Sequence, residues 1–205
     1  MKYLKLAVTL TLVGFWTGCA PVASVYPFFE EKDKIMEASL LGQWSSKTDS
    51  IEINFAREDP RATDYRVQLS DNDQEAGEDA PRQTRFCFKA ALFRVGSLLF
   101  LDLEQDGVEF KWKDRSLSRT SDDLGFYLPV HTVYRVELEG DTLRLAYLDD
   151  NAVASFINAR KFNDTAFLDA KSLLVVPTHE LQTQLLAHAE DEKLLSEDIV
   201  FSRDK

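Results

Sequence analysis

The sequence predicts a mainly β protein, an antiparallel barrel of about eight or nine strands with two helices inserted late in the chain. Three observations predict it. Apolar and polar residues alternate with a period of two in successive stretches between residues 40 and 147, and short turns such as Gly96-Ser97 and Gly140-Asp141 separate them. After residue 149 the period lengthens to that of a helix. Because a series of hairpins leaves two sheet edges to be paired, closure into a barrel is the expected arrangement.

Composition and charge limit the class of protein and its partners. The chain has 205 residues, and 24 Lys and Arg against 35 Asp and Glu give a net charge of −11. An acidic surface repels phosphate backbones, so nucleic acid is not an expected partner. Glycine and proline are scarce while Leu, Phe, Val and Ile are plentiful, which excludes a wholly disordered chain. We expect one barrel domain over residues 39–205.

The first strands are predicted from the alternation of apolar and polar residues. Residues 51–55 and 65–69 each alternate apolar with polar side chains, as half-buried strands do. Residues 85–95 and 98–104 predict a long hairpin around Gly96-Ser97. Their hydrophobicity is nearly continuous in places, which predicts cover on both faces of this hairpin.

Two intervals of this half are predicted as loops. Residues 71–79 are acidic and lack bulky apolar side chains, and the glycine and the final acid of a calcium loop are missing there. Residues 105–129 form the longest interval of low order, although residues 110–113 alternate enough to extend a strand. This interval holds a basic patch that could contact lipid headgroups or an acidic partner, although a solvated loop is the preferred interpretation: Lys111, Trp112, Lys113, Arg115 and Arg119.

The last third combines a hairpin, two helices and short strands. Residues 132–138 and 143–147 alternate around Gly140-Asp141 and give the clearest hairpin of the chain. Helices are predicted over residues 150–161 and from about residue 179 to 190. Short strands are predicted over residues 173–176 and 199–203.

A short motif near the first strand resembles a known barrel family. Leu41-Gly42-Gln43-Trp44 is similar to the Gly-x-Trp motif that opens the first strand of lipocalin-like (calycin) barrels. In that family the tryptophan plugs the closed end, and a basic side chain from the last strand packs across its ring. The resemblance implies that Gly42, Trp44 and Arg203 close the barrel, with the guanidinium over the indole.

The first residues have the pattern of a secretory signal peptide. Lys2 and Lys5 precede an uncharged, mostly apolar run over residues 6–16, and small residues follow it. We therefore expect residues 1–18 to be the signal peptide and residues 19–38 to form a tether. An uncleaved anchor is disfavoured because Pro21 and Pro27 interrupt the longer uncharged stretch.

The end of this segment resembles the lipobox of bacterial lipoproteins. Trp16-Thr17-Gly18-Cys19 matches it at its last three positions, and in that family the cysteine thiol accepts a diacylglyceryl group and becomes the mature N-terminus. The resemblance implies a lipid anchor at Cys19 and, with Ala20 rather than Asp following it, sorting to the outer membrane, facing the periplasm. The alternative is a soluble secreted protein with an incidental cysteine.

No motif indicates catalysis, a metal or a cofactor. The chain lacks a nucleophile elbow, a phosphate-binding loop and a His-Glu-x-x-His motif. His179 and His188 are too far apart on one helix to share an ion. His131 at a strand end could donate to a ligand at the barrel rim, but a bond to a backbone carbonyl is the preferred interpretation. Cys87 lies between two phenylalanines and is expected to be a small, half-buried apolar side chain rather than a reactive nucleophile. We therefore expect a protein that is not an enzyme.

Two functions compete at this stage. The first is an envelope-tethered barrel that binds a small hydrophobic molecule, and the second is a structural or interaction lipoprotein within an envelope assembly. A ligand pocket and a solid core would use the same inward aromatic residues, so the sequence leaves both open. The candidate pocket residues are Phe55, Tyr65, Phe88, Phe100, Tyr134 and Tyr147.

Overall fold

The fold is known from a computed structural model. It describes residues 21–57, 59–71, 83–111, 116–120, 129–149, 153, 165–168, 171–188 and 194–204. The predicted signal peptide, Cys19, residues 72–79 of the predicted acidic loop and most of the predicted helix 150–161 lie outside these residues.

Twelve strands and one α-helix make up the described residues. Two short 3-10 turns, Glu31–Asp33 and Ala38–Leu40, precede the main strand series. The elements are β1 (Ala23–Ser24), β2 (Gly42–Ser46), β3 (Ile51–Ala56), β4 (Asp64–Asp71), β5 (Gln83–Val95), β6 (Leu98–Lys111), β7 (Ser116–Thr120), β8 (His131–Glu139), β9 (Thr142–Tyr147), β10 (Thr165–Leu168), β11 (Lys171–Leu174), α1 (Thr178–His188) and β12 (Ile199–Arg203).

Eight of these strands form a closed antiparallel barrel, as the sequence predicts. Neighbouring strands follow the order β8-β9-β12-β2-β3-β4-β5-β6, and β6 pairs back with β8 from Leu99↔Val136 to Glu104↔His131. This last pairing removes both edges of the ribbon. Four further strands extend the sheet outside the barrel: β7 continues from β6, and β1, β11 and β10 continue from β8.

The barrel wall separates two hydrophobic cores. The inner core fills the barrel with side chains from every barrel strand, among them the fully buried Trp44, Ile53, Leu92 and Leu101. The outer core lies on the other face of β5, β6 and β8, where the N-terminal segment and α1 cover it. The long hairpin β5–β6 therefore faces apolar residues on both sides, which confirms the prediction from its continuous hydrophobicity.

The loop prediction for residues 105–129 is wrong over two stretches. Strand β6 continues to Lys111, and β7 pairs with it from Gly107↔Thr120 to Lys111↔Ser116. Beyond the irregularity at Cys87/Phe88 the β5–β6 ribbon carries polar, half-exposed side chains, so its strand pattern is weak in the sequence. Residues 112–115 and 121–128, with three members of the predicted basic patch, lie outside the described part of the chain.

The late elements agree with the sequence in kind and differ in their ends. Helix α1 spans Thr178–His188 and buries Leu181 and Leu185 against the outer core. Strand β11 covers Lys171–Leu174, two residues earlier than predicted. Of the predicted helix 150–161 only Val153 is described, and its N–H donates to the Asp149 carbonyl at 2.9 Å. No helix among the described residues is long and apolar enough to cross a bilayer.

Residues 21–37 differ from the tether that the sequence predicts. Ala23 and Ser24 pair with both β8 and β11, and the Val22 N–H donates to the Leu148 carbonyl at 3.2 Å. Phe28 is only 1% exposed and belongs to the outer core. The segment lacks periodicity because it follows the barrel wall irregularly, which is why its sequence has the appearance of a linker.

Candidate functional site

One end of the barrel is closed by a cation–π contact. The Arg203 Cζ lies 4.2 Å from the centroid of the Trp44 ring, and the two residues are register partners on β12 and β2. The Trp44 Nε1–H donates to the Leu40 carbonyl at 2.9 Å, while the guanidinium donates to the carbonyls of Leu41 and Ser39. The contact that the lipocalin-like resemblance implies is therefore present.

Gly42 allows this close approach. Its φ is +112°, a conformation that side-chain-bearing residues rarely adopt. A Cβ at this position would lie 3.3 Å from the Arg203 Nη1. Glycine thus lets the guanidinium reach the Leu41 carbonyl and the indole, a structural role rather than a chemical one.

The six candidate pocket residues do not line one space. Phe55, Tyr65, Phe88 and Tyr134 belong to the inner core, and the Tyr134 and Tyr147 rings lie 6.1 Å apart between centroids. Phe100 lies in the outer core instead, stacked on Phe93 at 5.7 Å, so its predicted inward position is wrong. Because β6 is apolar on both faces, alternation alone could not assign Leu99, Leu101 and Leu103 to the lumen.

The inner core is filled by packed side chains. Burial raises the pKa of the Tyr134 hydroxyl to about 12, and the Phe55 and Tyr65 rings pack edge to face at 6.1 Å. Tyr65 bonds the backbone of Glu37 through its hydroxyl, both as donor and as acceptor. These aromatic side chains therefore contribute to a packed core in the barrel.

The large cavity of the structure lies outside the barrel wall. It has a volume of about 590 Å³ and runs over the outer face of β4, β5, β6 and β8 beneath the N-terminal segment. We refer to it as the wall cleft. Its lining consists of Pro27, Phe29, Glu31, Lys34, Asp59, Ala62, Asp64, Tyr65, Arg66, Lys89, Ala90, Ala91, Asp102, Glu104 and His131. A second, apolar cavity beneath α1 has only about 20 Å³, enough for a single water molecule.

A row of charged side chains crosses the wall cleft. The row runs across four neighbouring strands, from Arg66 on β4 to Lys89 on β5, Glu104 on β6 and His131 on β8. Each of these residues is the register partner of the next one. Neighbouring strands lie about 4.8 Å apart, so adjacent members of this row are close neighbours. Two residues further along these strands, on the same face, lie Asp64, Ala91 and Asp102, and the small side chain of Ala91 leaves room above the wall.

A buried histidine–aspartate pair forms one end of the cleft. The His131 Nδ1 lies 2.8 Å from the Asp102 Oδ1, and the Phe28 N–H donates to the Asp102 Oδ2 at 2.9 Å. Burial disfavours the imidazolium, but the hydrogen bond and charge of Asp102, together with the charge of Glu104, raise the pKa of His131 above its ordinary value. The protonated ring can then donate from Nε2 into the cleft.

Most charges of the cleft are already paired. The Lys34 Nζ lies 2.9 Å from the Glu31 Oε1 and 2.8 Å from the Asp64 Oδ1. The Arg66 Nη2 lies 3.3 Å from the Asp106 Oδ2. Three groups of the described lining have no side-chain hydrogen-bond or ion-pair partner: the Glu104 carboxylate, the His131 Nε2 and the Asp59 carboxylate, which accepts only from the Arg61 N–H at 2.8 Å. Lys89 is held only loosely, at 3.5 Å from the Asp106 Oδ1, and its side chain is 60% exposed.

The described residues do not offer a metal site or an activated cysteine. No three His, Cys, Asp or Glu side chains among them cluster as metal ligands do. Burial raises the pKa of the Cys87 thiol, which disfavours the reactive thiolate. Among the described residues of the cleft lining there is no serine, threonine or cysteine that could act as a nucleophile beside His131. Its arrangement is suited to holding a polar molecule by charge-assisted hydrogen bonds.

Comparison with known proteins gives no relative for this chain. No family model matches it, and neither a curated protein nor a solved structure is significantly similar to it. The eight-stranded antiparallel barrel is compatible with the lipocalin-like resemblance of the Gly-x-Trp motif. The geometry and the charges of the wall cleft are therefore the basis for proposing a function.

Asp102 was not predicted as a site residue, and the partner predicted for His131 was wrong. The imidazole bonds a carboxylate, not the backbone carbonyl expected at a strand end. One signal was present: Asp102 is the only charge within the apolar run of residues 98–103, and a lone buried charge requires a partner. Its partner on β8 could not be found because the β6–β8 register is a property of barrel closure.

Proposed function

We propose that this protein is a non-catalytic binding lipoprotein of the bacterial envelope, with a lipocalin-like barrel that binds a small polar molecule in the wall cleft. One observation carries the proposal. A cavity of about 590 Å³ presents an unpaired carboxylate and an unpaired imidazole nitrogen among the described residues of its lining. Cavities of this size suit small organic ligands, and a few unpaired polar groups fix their orientation.

The packing of the barrel favours the cleft over the lumen as the ligand site. A hydrophobic ligand in the lumen would have to displace fully buried side chains such as Phe55, Leu92 and Leu101. Displacing them would cost the packing energy of the inner core. The wall cleft requires no such displacement, and its charged lining favours a polar ligand over a hydrophobic one.

The membrane anchor is the second part of the proposal. The lipobox-like sequence ending at Cys19 supports attachment to the outer membrane through acyl chains, facing the periplasm. Loss of residues 1–18 would remove two lysines and no acid, which takes the net charge from −11 to −13. A folded domain with this net charge is repelled by anionic headgroups, so the acyl chains would supply the attachment to the membrane.

A second candidate function is that of an interaction lipoprotein. Strand β7 supports it, since all five residues from Ser116 to Thr120 are exposed and the strand pairs with β6 on one side. Exposed strand edges bind other extended chains by adding a strand. Crosslinking in intact cells from a β7 residue such as Ser118 tests this function, and recovery of the protein alone would argue against it.

Radiolabelled palmitate tests the anchor. We expect incorporation into the full chain in a bacterial host and its loss in Cys19→Ala, while Cys87→Ala retains the label because Cys87 is buried in the folded barrel. Label that persists in Cys19→Ala would refute lipidation at this residue.

Native mass spectrometry tests the ligand site. We expect protein purified from envelopes to carry an added mass that is absent in Ala62→Trp, because the indole would fill the mouth of the cleft. Arg61→Trp places the same side chain on the exposed neighbouring position and should keep the added mass. An unliganded wild type, or equal loading of both variants, would overturn the cleft as the binding site.

A further inference from the structure

We infer that the wall cleft recognises a phosphate–ammonium zwitterion of the phosphoethanolamine type, with Lys89 and His131 on the phosphate and Glu104 on the ammonium group. The inference rests on the proposed function and names the chemistry of its ligand. It follows from which polar groups of the cleft already have a hydrogen-bond or ion-pair partner and which do not.

The available donors define the anionic end of the ligand. The Lys89 Nζ is loosely held and well exposed, and the His131 Nε2 has no partner among the described residues. These two side chains flank Glu104 on neighbouring strands, about two strand spacings or 10 Å apart at the backbone. Because a lysine side chain is long and flexible, both donors can converge on one phosphate, which offers several acceptor oxygens.

The available acceptor defines the cationic end. Glu104 lies between the two donors, and both oxygens of Asp102 are engaged by the imidazole and by the Phe28 N–H. Asp64 is engaged by Lys34. Among the described acids along the row, Glu104 is therefore the one free to accept from an ammonium group. In phosphoethanolamine two methylenes separate the primary ammonium from the phosphate. This short spacing matches the neighbouring positions of Glu104 and its two flanking donors on the wall.

Charge balance excludes a simple ion. A ligand with only an anionic group would leave the Glu104 carboxylate unpaired next to it, in a cleft that Glu31, Asp59 and Asp64 already make acidic. A ligand with only a cationic group would leave Lys89 on its loose contact with Asp106 and the His131 Nε2 without an acceptor. A zwitterion satisfies both, since every charge that it brings meets an opposite charge of the wall.

The position of the anchor brings this chemistry close to the cleft. Ser24 on β1 pairs with His131, and the five residue steps from Cys19 to Ser24 span at most about 17 Å. The opposite end of β8, Glu139, pairs with Thr142 beside the end of β12 that holds Arg203. A lipid anchor at Cys19 would thus hold the barrel by the end that carries the cleft, within reach of membrane lipid headgroups. Free phosphoethanolamine carries the same groups.

Calorimetric titration of the purified protein tests the inference. The probes are phosphoethanolamine, dihexanoyl phosphatidylethanolamine, inorganic phosphate and ethanolamine. We expect both zwitterions to bind, and the phosphate and ethanolamine alone to bind at least about tenfold more weakly, since phosphate loses the contact with Glu104 and ethanolamine loses those with Lys89 and His131. Tighter binding of the lipid than of the free headgroup would identify the membrane as the source, and equal binding would identify the soluble compound.

Two variants separate the contacts. Glu104→Gln should weaken phosphoethanolamine binding about 10- to 100-fold and leave phosphate binding unchanged or stronger. Glu137→Gln, on the exposed part of β8, should change neither. Failure of all four probes to bind a protein that carries a native ligand on purification would overturn this inference and leave the proposed function intact. Equal binding of phosphoethanolamine to the Glu104→Gln variant would overturn the assigned contact and with it the inference.

Discussion

The contact of Arg203 with Trp44 gives a prediction at the scale of single residues. Replacing Arg203 by Ala removes the cation–π contact and two donors to backbone carbonyls, so we expect the free energy of unfolding to fall by about 2–3 kcal/mol. Arg203→Lys keeps the charge but loses the planar fork, and it should recover only part of the loss. Urea unfolding followed by tryptophan fluorescence measures both. Arg94→Lys, on an exposed side chain, is the control, and an equal effect there would contradict the prediction.

His131 predicts a pH dependence of stability. The pKa of His131 is raised in the folded protein, so the folded state binds the proton more tightly than the unfolded chain does. The resulting stabilisation is complete below about pH 6.5, the ordinary pKa of histidine, and is lost as the pH rises through the higher pKa of the folded state. We expect this dependence to disappear in His131→Gln and to persist in His179→Gln, whose side chain is exposed. Urea unfolding between pH 5.5 and about pH 8.5 measures it, and identical profiles for wild type and His131→Gln would refute it.

Single residues differ in how far the sequence predicts them. Trp44 and Arg203 could be paired because the motif fixes one on the first barrel strand and the other on the last. Asp102 and His131 could not, since 28 residues separate them and their contact depends on the β6–β8 register. A one-residue shift of that register would turn each of them to the opposite face. For the same reason the position of Phe100 could not be assigned from the sequence.

At the scale of elements, the N-terminal segment is predicted to be part of the fold. Phe28 is almost fully buried in the outer core, and its N–H bonds Asp102. Phe28→Ala should lower the free energy of unfolding by about 3–5 kcal/mol, as core phenylalanines do. Tyr26→Ala is the matched control, because the Tyr26 side chain is 46% exposed and should cost about 0.5 kcal/mol or less. Thermal or urea unfolding compares the two, and similar small losses would restore the interpretation of this segment as a free tether.

Elements with a clear period were predictable, and elements without one were not. Strands β3 and β4 alternate because one face meets the inner core and the other is polar. Strands β8 and β9 alternate over part of their length, but β8 also buries Val133 in the outer core and β9 buries Ala146 next to Leu145. Strand β7 is exposed at every position, so no face of it carries an apolar signal. The N-terminal segment lacks a period since its buried residues, Val22 and Phe28, come from an irregular path along the wall. Packing against an existing wall leaves no local pattern in the sequence.

At the scale of the whole molecule, barrel closure creates the candidate site. The cleft exists because β6 pairs with β8 and brings Glu104 beside His131, while the N-terminal segment roofs the same face. The two cores share the wall that carries this row of charges. The sequence predicted the barrel but left open whether the inward aromatic residues line a pocket or fill a core, since both arrangements have the same pattern. The wall cleft could not be predicted from the sequence, because its residues come from four strands and from the N-terminal segment, which is distant from them in the chain.

The packed lumen predicts how the whole barrel responds to apolar molecules. We expect no saturable binding of a fluorescent fatty acid to the wild type, because the inner core is occupied by its own side chains. Leu101→Ala removes a fully buried side chain from the centre of that core and should cost about 2–5 kcal/mol in the free energy of unfolding. The apolar cavity that this variant leaves should take up benzene, whereas the wild type should not. Leu186→Ala, on an exposed position of α1, should leave both properties unchanged. Stoichiometric fatty-acid binding by the wild type would instead show that the barrel opens to admit a ligand, and the hydrophobic-ligand function would then replace the cleft.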